Sequence, residues 1–466
     1  MTLASPLPSA GPVTLAGPVP TIAPHSLLVF LLQLAFLLLF ALVLGRLAER
    51  FRMPAVVGEL CAGLLLGPSV LQHVLPAFSH WLLPQQPEQM HMLDATGQLG
   101  VLLLVGVTGA ELNFGLVRKR GVTAARVSIA GLVLPLGLGI ATGFALSGIL
   151  LPDGVDSTVF AFFLGVAMCV TAIPVIAKTL LDMKLLHRDI GQLILSAGVV
   201  DDIVGWFLLS VVSAMATAGL TAGVVATAVL YPVGVVLFAV LVGRPLVGAA
   251  LRRAGRAEGA APTIMTVVVL VLFGAAATQA MKLESIFGAF VVGVLVGTSK
   301  DLDREKLEPL KSTALGFLAP LFFATAGLRM DLTGLRHLDV LAAAVAVLAV
   351  AVLGKFSGAF LGARFSRLNR WEALALGAGM NCRGVVEVVV AMTGLRLGVL
   401  DTDAYTIIIL VAIVTSLMTP PVLRVAMTRA EELADAELSL EDAGSGRTRA
   451  PDRSGRTGTS NSEVNP

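Results

Sequence analysis

The stretch LILSAGVVDDIVGWFLLS, residues 193–210, sets two adjacent carboxylates, Asp201 and Asp202, in the middle of a run otherwise apolar enough to sit in a bilayer. An ionisable side chain near a bilayer centre costs about 2.5–3.5 kcal/mol on insertion scales, so each one needs a reason to be there. Consecutive side chains on a helix point about 100° apart, so the two carboxylates cannot address one point unless it lies between them. One can meet a fixed countercharge while the other faces a water-filled path. Two like charges side by side cannot both stay ionised cheaply, which is the property a proton carrier needs. A structural hydrogen-bonding pair is the competing reading, but capping belongs at helix ends and these residues sit mid-span.

The rest of the chain agrees with a membrane setting. Its 466 residues are 56% hydrophobic and 14% charged, with a mean hydropathy of +0.88. Soluble domains carry about 25% charged residues, so the surplus apolar surface here requires lipid as its solvent. A hydrocarbon core about 30 Å thick takes about 20 apolar residues per helix, and the sequence divides into about thirteen such lengths between residues 25 and 425. Lys and Arg alternate between loops: Arg46, Arg50 and Arg52, then Arg118, Lys119 and Arg120, then Arg252, Arg253 and Arg256 fall on one side. The segments 75–93, 149–156 and 214–222 on the other side have none. Basic loops stay in the cytoplasm, so the expectation is a multi-pass protein of the cell membrane with its amino terminus outside and its carboxyl terminus inside. Residues 1–24, Pro-rich and uncharged, read as a disordered outer tail, and residues 429–466, poor in apolar residues, as a disordered cytoplasmic tail. A net charge of +2 argues against a nucleic-acid partner. Cys61, Cys169 and Cys382 lie far apart in apolar runs and offer neither a disulfide framework nor a zinc site.

Few other charges are deep: Glu59, Glu111, Lys355, Arg383 and Glu387. Lys355, in VAVLAVAVLGKFSGAFLGAR, lies nine residues before Arg364, about 14 Å along a helix and too far for its stem to reach the interface. The aspartate pair is its obvious partner. In VAMCVTAIPVIAKTLL, Pro174 removes the hydrogen bond that would end on the carbonyl of Val170 and disturbs that of Thr171. Freed carbonyls and the Thr171 hydroxyl are oxygen ligands for a hard cation, and irregular backbone at this depth is tolerated only inside protein or beside water. A second interruption follows in GAGMNCRGVVEVVVAM, where Asn381, Arg383 and Gly384 break an apolar span and Glu387 stands one turn on to neutralise Arg383. Two interrupted helices, one in each half, point to a binding site in an inverted-repeat transporter.

With these residues in view, the sequence resembles the monovalent cation/proton antiporters, in the branch that includes bacterial Na+/H+ exchangers of the NapA type and the transmembrane part of Kef potassium efflux systems. The resemblance rests on PAVVGELCAGLLLGPSVL at 54–71, TAIPVIAKTLLDMKLL at 171–186 followed by VVDDIVGW, ESIFGAFVVGVLVG at 284–297, LAPLFFATAGLRMDL at 318–332 and MNCRGVVEVVVAMTGLRLGVL at 380–400. It implies an all-α inverted-repeat antiporter fold with two discontinuous helices crossing at mid-membrane. It also implies a core domain (121–214 and 338–428) moving against a dimerisation domain (25–114 and 262–330), with a linker helix at 221–251 and a homodimer as the assembly. By position Asp202 is similar to the family's cation-binding aspartate, Asp201 to the one paired with a lysine, here Lys355, and Thr171 with nearby carbonyls completes the site. The cargo implied is Na+ or K+ and H+, with Li+ not excluded. No cofactor is expected, and the paired-aspartate form resembles electrogenic members.

Other classes fare worse. A cation channel would use the same oxygen ligands, but a filter has no need of titratable pairs. An organic-anion carrier would be repelled by the aspartates. An enzyme would need a nucleophile with its base, a metal cluster or a phosphate loop, and none is visible in the sequence.

Overall fold

The computed structural model describes residues 22–83, 87–112, 114–183, 185, 188–218 and 222–444. The segments read as outer tail (1–24) and cytoplasmic tail (429–466) therefore lie largely outside the described residues. The chain is helical throughout: α1 Pro24–Arg50, α2 Ala55–Leu66, α3 Pro87–Glu111, α4 Phe114–Ala145, α5 Ser157–Cys169, α6 Ile173–Asp182, α7 Asp189–Ala218 and α8 Ala222–Phe238. A π turn, Ala239–Gly243, carries α8 into α9, Arg244–Gly255, followed by α10 Ala261–Ala280, α11 Ser285–Thr298, α12 Ala319–Leu328, α13 Leu338–Phe365, α14 Arg370–Met380, α15 Val385–Arg396 and α16 Thr402–Gly444.

Local chemistry sets several of these boundaries. Asp156 caps α5 by accepting the Thr158 backbone N–H at 2.7 Å, which holds its carboxyl below the usual carboxylate range. Asn369 and Glu372 form a reciprocal capping box at the start of α14, where the Asn369 side chain accepts from Glu372 N at 2.8 Å and Glu372 accepts from Asn369 N at 2.9 Å.

Among the described residues ten helices are long and apolar enough to cross a membrane, or eleven if the bent pair α14–α15 is one span. The expected thirteen is not reached by that measure. The difference falls on the expected spans 156–183, which residues 170–172 divide into α5 and α6, and 284–299, where α11 stands; α5 and α11 are apolar helices of 13 and 14 residues. At 1.5 Å per residue each is about 20 Å long, short of the hydrocarbon thickness. The segment read as the carboxyl-terminal tail carries the end of α16, which continues past residue 429 to Gly444. Its segment RAEELADAELSLEDAG is rich in Ala, Leu and Glu, which favour helix regardless of burial.

The helices pack as two bundles. In one, α4 lies against α5, α7 and α13, with α14 and α16 closing it. In the other, α2 sits between α1 and α12, and α3 packs on α11 and α12. Small residues permit the close approaches: a Cβ on Gly63 would strike the carbonyl of Ala324, and one on Gly293 the carbonyl of Gly106. The bundles touch along α7 with α11, α12 with α15, and α2 with α16. The site lies inside the first bundle, close to that seam.

Candidate functional site

The first break separates α5 from α6 at Val170–Ala172. Pro174 was expected to cause it from within a helix. Instead Pro174 occupies the first turn of α6, where its missing N–H costs nothing, and the irregular residues precede it. The second break, Asn381–Gly384, separates α14 from α15, whose axes differ by 41°.

The two breaks touch although they are far apart in sequence. Ala172 N donates to Cys382 O at 3.1 Å, and the Thr171 hydroxyl lies 3.3 Å from Met380 O. Gly384 makes the approach possible, because a Cβ there would come within 2.8 Å of Val175 Cγ2 and 3.2 Å of Ala172 Cβ. Its φ of 169° is ordinary extended backbone, so space rather than conformation demands glycine. Asn381 closes α14, its Oδ1 buried without a hydrogen-bond partner.

Fixed cations neutralise the carbonyl end of α5, which carries the negative pole of a helix dipole. Lys355 Nζ donates to Cys169 O at 2.5 Å, and Arg383 donates to Ala167 O at 2.8 Å and Met168 O at 2.6 Å. Arg383 also reaches Ala351 O at 3.2 Å and pairs with Glu387 at 2.9 Å, both side chains fully buried. The carbonyls of residues 167–169 are thus bonded to the chain's own cations, while those expected as cation ligands are the next two, of Val170 and Thr171.

Asp201 lies at the centre of this arrangement. Its Oδ2 accepts from Lys355 Nζ and from the Thr171 hydroxyl at 2.8 Å, and its Oδ1 accepts from the Ser128 hydroxyl. Asp201, Lys355 and Ser128 have no exposed surface and Thr171 has 1%. Two oxygens receiving three donors is the arrangement of an ionised carboxylate, which only accepts. The Thr171 hydroxyl is thus placed on Asp201, the aspartate adjacent to Asp202 in the expected cation site. Asp202 is just as deeply buried, yet its Oδ1 has no hydrogen-bond partner.

A cavity of about 1190 Å³ runs between the bundles from an end lined by Glu49, Arg52 and Arg424 to Ile173, Val199 and Val385. Those last residues flank the first break, the turn before Asp202 and the start of α15, so the cavity stops just short of the aspartates. Glu59 and Glu111 line it too: Glu59 is half-buried, and Glu111 pairs with Lys311 at 2.6 Å while remaining 45% exposed. Both had been expected to lie deep. At the opposite end of the seam, Arg396 of α15 pairs with Glu284 at 2.6 Å.

Among the described residues no group of three or more His, Cys, Asp or Glu side chains is placed to hold a metal ion. Near the breaks, the buried oxygens Asp202 Oδ1 and Asn381 Oδ1 have no hydrogen-bond partner. Sequence reasoning missed Ser128. A lone serine in an apolar helix carries no spacing or charge signal that would mark it.

Comparison with known proteins places the chain. The profile described as "Sodium/hydrogen exchanger, transmembrane" matches residues 35–428. The chain is 31% identical over 399 residues to the Na(+)/H(+) antiporter NhaS4 of Synechocystis, covering 85% of this chain and 97% of that one. It is 32% identical over 398 residues to Cation/H(+) antiporter 19 of Arabidopsis thaliana, again over 85% of this chain but spanning 49% of that relative. The chain thus spans about half the length of such plant relatives. Its fold matches that of the sodium proton antiporter MjNhaP1 from Methanocaldococcus jannaschii with a TM-score of 0.62 at 16% identity, covering 85% of this chain and 96% of that one. By the profile match and by the near-complete span of NhaS4, this chain belongs to the transmembrane sodium/hydrogen exchanger family.

Proposed function

We propose that the protein exchanges a monovalent cation, Na+ or K+, for protons across the cell membrane, with Asp202 as the residue that binds them in turn. The observation that carries this reading is the asymmetry of the two aspartates: Asp201 is saturated by Lys355, Thr171 and Ser128, while Asp202 keeps a buried oxygen with no partner beside the two helix breaks. A buried polar atom without a partner is costly, and a proton or a dehydrated cation relieves that cost. Similarity to NhaS4 and to the Na(+)/H(+)-K(+) antiporter GerN of Bacillus cereus supports the same class of cargo.

In the finer reading, thirteen segments cross the membrane, two of them as broken helices that cross at their breaks. The bundle holding α4, α5, α7, α13 and α14 moves as a body against the other, which forms the dimer. The cavity that ends at Ile173 and Val385 is then the inward approach, with the amino terminus outside. Exchange of two protons for one cation moves net charge, the second proton leaving Lys355 when the cation enters. A potential of 100 mV acts on each net charge with about 2.3 kcal/mol, an almost fiftyfold bias in the equilibrium cation ratio.

The test uses the full chain in proteoliposomes, with Na+, Li+ and K+ added in turn against an imposed pH gradient, with and without an imposed potential. Cation-dependent dissipation of the gradient that responds to the potential is the expected result. Conductance of cations without proton counterflow contradicts exchange and favours a channel, and exchange insensitive to the potential contradicts only the two-for-one stoichiometry.

A further inference from the structure

We infer that Ser128 is a positioning residue of the exchange site, acting through Asp201; the inference rests on the proposed function and deepens it. Ser128 lies on α4, an unbroken helix that packs against α5, α7 and α13, the helices carrying the first break, the aspartates and Lys355. Its neighbours on the buried face of α4, Ala124, Val127 and Leu132, are apolar.

A serine inside a helix ordinarily returns its proton to the carbonyl four residues back, here Ala124. Ser128 instead donates to Asp201 Oδ1 from a side chain with no exposed surface. A buried hydroxyl carries one proton, and committing it across helices leaves its own turn without that local bond.

The three donors on Asp201 differ in how free they are to leave. Thr171 stands on the break itself, and its hydroxyl has a second acceptor, Met380 O, 3.3 Å away. Lys355 has a second acceptor in Cys169 O at 2.5 Å. Each therefore keeps another acceptor within reach when its bond to Asp201 lengthens. Ser128 sits on a continuous helix and holds the other oxygen. Whenever Thr171 turns toward an arriving cation, or Lys355 releases Asp201 as the cation enters, Ser128 keeps the Asp201 carboxylate from rotating. It therefore fixes the direction in which Oδ2 is presented to the break. Without it the carboxylate can turn about its own axis, and the geometry that a bound cation meets is no longer set.

A positioning role and a merely structural role separate in the kinetics. Reconstituted full chain carrying Ser128→Ala should show an apparent KM for Na+ or K+ raised about three- to tenfold, with the rate at saturating cation within about twofold of wild type. Ser128→Thr, which keeps the hydroxyl, should return KM to near the wild-type value. Because Ser128 and Thr171 hold the same carboxylate, the effects of Ser128→Ala and Thr171→Ala on KM should not multiply independently. Should Ser128→Ala fail to insert, Ser128→Cys carries the same prediction with a smaller rise, the thiol being a weaker donor. An unchanged KM in the variant that inserts, or independent multiplication with Thr171→Ala, overturns the inference. Asp202→Asn measured alongside keeps the two claims apart. Exchange surviving in Asp202→Asn removes the site reading itself, whereas loss there with an unchanged KM in the Ser128 variant removes only the role of Ser128.

Discussion

Lys355 and Asp201 are joined in a fully buried ion pair although 154 residues separate them in the chain. Two charges out of water are tolerated only together, because truncating one partner of such a pair leaves the other uncompensated, at a cost of about 3–5 kcal/mol. Lys355→Met and Asp201→Asn should therefore each lower the unfolding temperature of the purified protein in detergent. The double variant should lose clearly less than the sum. Strict additivity in that cycle would show that the two residues do not depend on one another.

Arg383 should tolerate no substitute. Its guanidinium spans Ala167 O, Met168 O, Ala351 O and Glu387 at once, a reach that a single ammonium cannot reproduce. Arg383→Leu leaves Glu387 buried and unpaired and should cost about 3–5 kcal/mol. Arg383→Lys should recover only part of that. Thermal unfolding with a fluorescent thiol or scattering readout distinguishes the cases, and a fully stable Arg383→Lys would mean the carbonyl contacts contribute little.

Gly384→Ala tests the contact between the two breaks. The added Cβ would press on Val175 and Ala172, and overpacking of this kind costs about 1–3 kcal/mol. Val175→Ala in the same chain should relieve most of the loss, since Val175 Cγ2 is the nearest atom. Failure of that second change to help would place the strain elsewhere.

How much of this was legible in the sequence follows from what each residue costs when isolated. Asp201, Asp202, Lys355, Arg383 and Glu387 stand out because a charge in an apolar run must find a partner, and the pairs Lys355–Asp201 and Arg383–Glu387 are formed. Pro174 points to the right neighbourhood but not to the break, because proline is as welcome in the first turn of a new helix as it is disruptive inside one. Thr171 is read as a ligand from its hydroxyl beside the Pro174 interruption, but its bond to Asp201 depends on helix rotation that spacing does not encode. Glu59 and Glu111 count as deep by window hydropathy, whereas helix packing puts both on a wide cavity. Ser128 is invisible for the opposite reason: an uncharged hydroxyl in a helix can always satisfy itself locally, so its commitment to Asp201 appears only when α4 is packed. By helix length alone α5 and α11 do not count as spans, because apolar content reports what is buried and not how far a helix reaches.

The central claim is that Asp202, and not Asp201, alternates between proton and cation. It is tested most directly by Asp202→Asn, which removes the titratable charge at nearly constant shape, measured as Na+- and K+-dependent proton flux in proteoliposomes at matched protein content. The account predicts flux no greater than in protein-free vesicles at every cation concentration, while the variant still folds and purifies like wild type. Near wild-type flux in Asp202→Asn would contradict it.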